Sequence, residues 1–151
     1  MADVDDFLQS TLPGLEVADT AFHDGDPGGR SRTWSHRDPV TLFGAVLTGS
    51  GWAELEGVFA RLASQFSGCE SFRYEVIAAG VSGDLAYIAG VEHTVVSVGG
   101  AAPEPYELRV TQVFRREDGA WKVVHRHADP VPGSAGVDRQ LGRLAEGMPP
   151  A

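Results

Sequence analysis

The stretch Leu108-Arg-Val-Thr-Gln-Val-Phe114-Arg-Arg-Glu-Asp118-Gly119-Ala-Trp121-Lys-Val-Val-His125-Arg-His127-Ala-Asp129 decides the fold. Two runs rich in Val, Thr, Phe and Trp flank Asp118-Gly119, a dipeptide suited to a tight hairpin turn. Upstream, from Glu70 onward, the chain keeps alternating, with turn signals at Ser82-Gly83-Asp84 and from Gly99 to Pro105. The pattern predicts four main strands joined by three hairpins. Period two puts Trp121, Val123, His125, His127 and Asp129 on one face of the last strand and Lys122, Val124, Arg126 and Ala128 on the other. A turn of about two residues sets Gln112 opposite His125 and Val110 opposite His127, whereas one of about three sets Thr111 and Arg109 there. The second gathers Arg109, Thr111, His125 and His127 into one polar patch, leaves Val110, Gln112 and Phe114 for the other face, and is the reading preferred.

Working outward, helices precede the strands. Residues 5 to 24 place Phe7, Leu8, Leu12, Leu15, Ala18, Thr20, Ala21 and Phe22 at helical intervals, with Pro13-Gly14 expected to kink or split the helix. His23-Asp24-Gly25 ends it, so His23 reads as an exposed terminus. Asp26 is placed to cap a short second helix with Pro27 at its first position. Val40 to Leu47 reads as a short strand or arm, and Trp52, Leu55, Val58, Phe59, Leu62, Ala63 and Phe66 form the clearest helical stripe in the chain. Helices first and an antiparallel meander second predict an α+β architecture. It is expected as a cone-shaped, half-open barrel: a strongly curved antiparallel sheet of four main strands plus a short one, wrapped around two to three N-terminal helices. Residues 1–129 are expected as one domain, and 130–151 as a loosely structured tail around a weak helix from about Val137 to Ala145.

Charge excludes whole classes of partner. The chain has 151 residues with 21 acids against 12 Lys plus Arg, a formal net charge of −9 and a sequence pI near 4.9. Nucleic acid and anionic membranes need clustered cations, and there is no basic stripe. No apolar run reaches the roughly 20 residues of a membrane span, and the acidic start Asp3-Val4-Asp5-Asp6 is unlike a signal peptide, so a cytoplasmic protein is expected. The lone Cys69 reads as a small, half-buried residue. Arg30, Arg32, Arg37 and Arg61 read as solvated cations. Phosphate loops, Rossmann glycines, nucleophile elbows and His-Glu-x-x-His are all missing from the sequence.

Several segments resemble a known family. The string Trp34-Ser-His36-Arg-Asp38-Pro39-Val40, the helix from Trp52, the strand Val81-Ser-Gly-Asp84-Leu-Ala-Tyr87 and the ending Phe114 to His127 look like the SnoaL-like branch of the nuclear-transport-factor-2-like superfamily. The likeness covers roughly residues 5 to 129. Asp38-Pro39-Val40 resembles the segment of ketosteroid isomerases that carries their general base. Such enzymes move a proton beside a carbonyl with a carboxylate and hold the enolate with a Tyr hydroxyl and a protonated Asp. This chain has no Tyr before Tyr74 and no carboxylate in Leu108 to Val113, so steroid isomerisation itself is not implied.

The resemblance implies a cofactor-free isomerase, dehydratase or cyclase acting on a small, apolar or aromatic carbonyl compound in a hydrophobic pocket. Asp38 is the candidate base, and His125 with Arg109 or Thr111 the candidate oxyanion holder. Trp34, His36, Phe43, Phe59, Tyr74, Tyr87, Arg109, Thr111 and His127 are the candidate pocket residues; His93 shares a strand face with Tyr87 and Val91. The bland role for Asp38 is a turn or cap before proline. His125-x-His127 with Asp38, Asp129 or His93 has the donors for a metal, but spacing alone is weak and no metal or cofactor is expected. The alternative is a non-catalytic ligand-binding or assembly module. Either way the resemblance implies a homodimer through an outer sheet face exposing Val110, Phe114 and Val124.

Overall fold

The computed structural model describes residues 2–148. The four predicted long strands are β3 (Phe66–Ser82), β4 (Leu85–Val98), β5 (Glu104–Glu117) and β6 (Ala120–Pro130), paired antiparallel in chain order. Two short strands, β1 (Thr41–Phe43) and β2 (Thr48–Ser50), extend the sheet to six in the order β2-β1-β6-β5-β4-β3, with β1 parallel to β6. The expected single short strand is therefore a small hairpin. Gly44 breaks the apolar run after Phe43, and its N–H donates to the Leu47 carbonyl at 2.8 Å.

The last hairpin corrects the expected register. Glu117 pairs Ala120, so only Asp118 and Gly119 form the turn, with φ of 51° and 80°, the two positive values that suit a right-twisted hairpin. Then Phe114 pairs Val123 while Val113 pairs His125, leaving Val124 as a bulge. One extra residue inverts the alternation beyond it. Val123, Arg126 and Ala128 consequently face the helices and are buried, whereas His125, His127 and Asp129 turn to the opposite, open face. His127 lies opposite Thr111 and Asp129 opposite Arg109, which matches neither register considered. Val110, Gln112 and Phe114, expected outside, are buried on the covered face.

Four helices are present among the described residues. α1 (Ala2–Phe22) runs unbroken through Pro13, which lies on its exposed side, where the lost backbone bond faces solvent. Its buried stripe is Phe7, Thr11, Leu15, Ala18, Asp19 and Phe22, followed by His23. α2 (Gly28–Thr33) follows Pro27, which stands one position earlier than expected; Asp26 Oδ1 accepts the Gly28 N–H at 2.9 Å. α3 (Trp52–Ala63) buries Leu55, Val58, Phe59, Leu62 and Ala63. Each large apolar side chain so buried contributes about 1.5–3 kcal/mol. α4 (Val137–Glu146) arises from the segment expected as a loose tail, yet Val137, Gln140 and Leu144 are buried. Gln140 Nε2 donates to the carbonyls of Val96 and Glu104, and the Glu104 carboxylate pairs with Arg139 and Arg143. No described helix is long and apolar enough to cross a membrane.

Candidate active site

On the covered face of the sheet, five segments bring buried charged and titratable groups together. Asp19 on α1 and His23 just past its end stand one turn apart on the buried stripe. α2 adds Arg30, β4 adds Glu92, β5 adds Tyr106 and β6 adds Arg126, all of them buried. Charges at this depth persist only when paired. Arg126 meets both oxygens of Glu92, through Nη1 at 2.6 Å and Nη2 at 2.7 Å. Arg30 donates from Nε and Nη2 to Asp19 Oδ1 at 3.1 and 2.8 Å and lies 3.7 Å over the Phe22 ring. Burial opposes ionisation of Glu92, but Arg126 outweighs it and the carboxyl is held below the usual carboxylate range. Burial likewise works against the Arg126 charge and Glu92 outweighs it, so the guanidinium is held more firmly charged.

His23 links this network to a tyrosine. Its Nδ1 lies 2.7 Å from the Asp19 backbone carbonyl and its Nε2 lies 2.5 Å from the Tyr106 hydroxyl. A carbonyl only accepts, so Nδ1 carries the proton and Nε2 accepts from Tyr106. Burial and then the Arg30 charge lower the His23 pKa to about 4, leaving the ring neutral near pH 7. Burial and then Glu92 raise the Tyr106 phenol, which keeps its proton. Beside these groups is a cavity of about 60 Å³. Its polar lining is His23, Arg30, Tyr106 and Arg126; Leu42, Val46, Leu62, Leu108 and Ala128 supply apolar wall, and Leu141 and Leu144 of α4 close it.

None of the residues predicted from sequence lines that cavity. Asp38 is exposed, and its Oδ1 accepts the Trp52 N–H at 2.9 Å, so it caps α3 from a neighbouring loop. That placement corrects the reading of Asp38 as a base inside an apolar cavity. The Val124 bulge carries His125 and His127 to the open face, beside Phe43, with ring centroids 5.2 and 5.6 Å away. His125 Nδ1 meets the Thr41 hydroxyl at 2.7 Å, and burial and then His127 lower its pKa. Arg109, Thr111 and His127 line a shallow open-face groove with Ile77 and Asp129. Tyr87 is exposed on the same face, where His93 lies between Glu75 and Glu107. Trp34 and Phe59 are core, their rings 5.1 Å apart. His36 is exposed and stacks on Trp52. Tyr74 is buried on the covered face, where its hydroxyl accepts from Gln112 at 3.2 Å. Cys69 is half-buried, and burial and then Asp24 push its thiol up.

The groups that do meet were visible as misfits. Asp19 and His23 continue the stripe of Leu15, Ala18 and Phe22 at helical spacing, and Glu92 stands in the row Ala86, Ile88, Gly90, Thr94, Val96. A polar residue on an apolar face is the signal that was available. Among the described residues no group of three His, Cys, Asp or Glu is placed to hold a metal.

A model of the SnoaL-like domain matches residues 19–132 of the chain. Among solved structures, a proposed dehydratase of the NTF2-like family from Streptomyces avermitilis is similar over 87% of this chain and 99% of its own, at 23% identity and TM-score 0.67. A proposed ketosteroid isomerase from Parabacteroides distasonis is similar over 79% and 86%, at 16% identity and TM-score 0.60. A proposed calcium/calmodulin-dependent protein kinase II association domain from Xanthomonas campestris is similar over 82% and 87%, at 17% identity and TM-score 0.60. At these identities the likeness concerns the fold. No protein of curated function matches the sequence.

Proposed function

We propose, for a chain that belongs to the SnoaL-like domain family, that the cavity beneath α4 binds a small carbonyl compound and moves one of its protons without a cofactor. The reading is carried by the His23–Tyr106 hydrogen bond at the wall of that cavity. Tyr106 alone is too weak a base, because burial strengthens its hold on its own proton. Coupled to His23 it is a relay: the phenol oxygen takes a proton from the carbon beside the carbonyl while its own passes to Nε2. The Asp19 carbonyl and carboxylate stabilise the cation formed on His23. The electron pair left on carbon moves to the carbonyl oxygen, where Arg30 or Arg126 supplies charge-assisted hydrogen bonds. Returning the proton to another carbon completes an isomerisation; returning it to a departing β-hydroxyl completes a dehydration. The names of the Streptomyces and Parabacteroides proteins agree with this reaction class.

The test is exchange of carbon-bound hydrogen in deuterated water, followed by NMR over a panel of small ketones and β-hydroxy carbonyl compounds. Wild type exchanges at least one of them, and Tyr106→Phe, which keeps the ring packed near Phe66, loses roughly 100-fold or more of the rate. Equal rates in the two proteins overturn the relay.

A homodimer belongs to the same proposal. Ile77, Leu85 and Tyr87 are exposed at 65%, 52% and 43% on β3 and β4, a patch that a second copy would cover. Assembly alone, without chemistry, is the second reading, and the Xanthomonas protein bears a name of that kind. Sedimentation as a monomer removes it.

A further inference from the structure

We infer that the small carbonyl compound of the cavity is a monocarboxylate, gripped by Arg30 and Arg126, rather than a neutral molecule. The inference deepens the proposed function and rests on its premise that the cavity is a ligand site. The sign of the lining carries it. Arg30 and Arg126 reach the cavity wall, while the carboxylates that balance them, Asp19 and Glu92, do not. A molecule entering the cavity therefore meets two arginines and no carboxylate.

Donor capacity points the same way. Arg126 uses Nη1 and Nη2 on Glu92, and Arg30 uses Nε and Nη2 on Asp19. Neither Nε of Arg126 nor Nη1 of Arg30 is among the nitrogens that bond these two carboxylates. A guanidinium holds more donors than one carboxylate takes up, and such donors match an anionic oxygen best. A neutral carbonyl offers one oxygen to two cations; a carboxylate offers one to each. Size sets the rest. A cavity of about 60 Å³ holds roughly four waters, the bulk of a molecule of about six non-hydrogen atoms. The remaining wall is apolar, aliphatic apart from Phe22 and Phe66, which suits a short branched or unbranched acyl chain.

Charge balance adds a consequence. The charged and titratable groups packed around His23 and the cavity wall are Asp19 from α1, Arg30 from α2, Glu92 from β4, Tyr106 from β5 and Arg126 from β6, and their two ion pairs cancel. An entering carboxylate adds one negative charge to a buried neutral site. His23 is the group able to offset it by accepting a proton, so binding takes one up from solution.

The experiment is calorimetric titration of the full chain near pH 7 with isobutyrate and with isobutyramide, its neutral isostere, in two buffers of different ionisation enthalpy. Isobutyrate is expected to bind at least tenfold tighter than the amide, with uptake of about one proton per acid bound, and His23→Gln to abolish the uptake. An amide that binds as tightly as the acid overturns the inference and leaves the ligand-site reading standing. Acid binding with no proton uptake, unchanged in His23→Gln, overturns placement of the carboxylate beside His23. Silence with both compounds at tens of millimolar overturns the inference and the ligand-site reading together.

Discussion

β6 carries one arginine–carboxylate pair on each of its faces, and their hydrogen-bond geometry is nearly the same. On the covered face Arg126 meets Glu92 at 2.6 and 2.7 Å; on the open face Asp129 accepts from Arg109 at 2.7 and 3.0 Å. Only the surroundings differ. The covered pair is 7% and 2% exposed and the open pair 56% and 44%. Water and salt screen the second, and side-chain entropy offsets most of what remains. The first has lost its water, so each charge depends on the other. Distance alone thus says little about what an ion pair does, and the face of the strand says much. The same division separates the histidines: His23 faces the cavity and is held neutral, whereas His125 and His127 lie on the open side.

The most forceful way to break the comparison is to cut both pairs in the same manner. Arg126→Met leaves Glu92 charged and buried and is expected to cost about 3–5 kcal/mol in chemical denaturation. Arg126→Met with Glu92→Leu recovers most of that loss, because no orphan charge remains. Arg109→Met on the open face leaves the midpoint near that of wild type. An equal loss from the two single cuts would mean that the faces are not distinguished by burial.

A smaller effect sharpens the contrast through pH. The His23 pKa falls from its usual 6.5 to about 4 on folding, chiefly by burial and then by Arg30. Below pH 6.5 the unfolded chain takes a proton that the folded chain refuses until about pH 4, so stability falls as pH drops through that window and levels off beneath it. The drop attributable to this residue is about 3 kcal/mol. Denaturation across the window should show it, and His23→Gln should flatten the profile by that amount, whereas His125→Gln, which removes a half-buried ring whose pKa is also lowered, should flatten it less.

What was legible in the sequence followed periodicity, and what was not followed from its interruption. The α3 stripe and the four long strands were readable because apolar spacing persists over many residues and each element must bury one side. The face of His125 was not, because Val123 and Val124 are both apolar and either can enter the core. Choosing Val123 and bulging Val124 costs one unpaired residue and buries Arg126 against Glu92. That choice depends on a carboxylate far away in the chain. His23 was misread because the turn signal beside it suggested a solvated terminus, although its spacing from Leu15 and Asp19 continues the buried stripe. Arg30 looked solvated for the same reason, since its partner Asp19 lies on another helix. α4 was anticipated as a helix, but its closure over the cavity depends on Gln140 reaching two backbone carbonyls that only the folded sheet brings together.

The smallest predicted effect concerns the residue with the strongest claim from resemblance. Asp38 is exposed, and its one hydrogen bond among the described residues is from the Trp52 N–H at the start of α3. Removing such a cap costs about 1 kcal/mol, whereas an amide keeps the accepting oxygen and loses only a favourable charge at the helix start. Asp38→Ala should therefore lower stability by about that amount and Asp38→Asn by less, and both should keep the wild-type rate of carbon-hydrogen exchange. Paired measurements of midpoint and exchange rate separate the two roles. A variant that keeps its midpoint but loses exchange would move the chemistry out of the covered cavity and onto the loop that carries Asp38. The division between the two faces would then describe stability alone. Retained exchange in Asp38→Asn, set against its loss in Tyr106→Phe, ties function to the same buried face that holds Arg126 and Glu92.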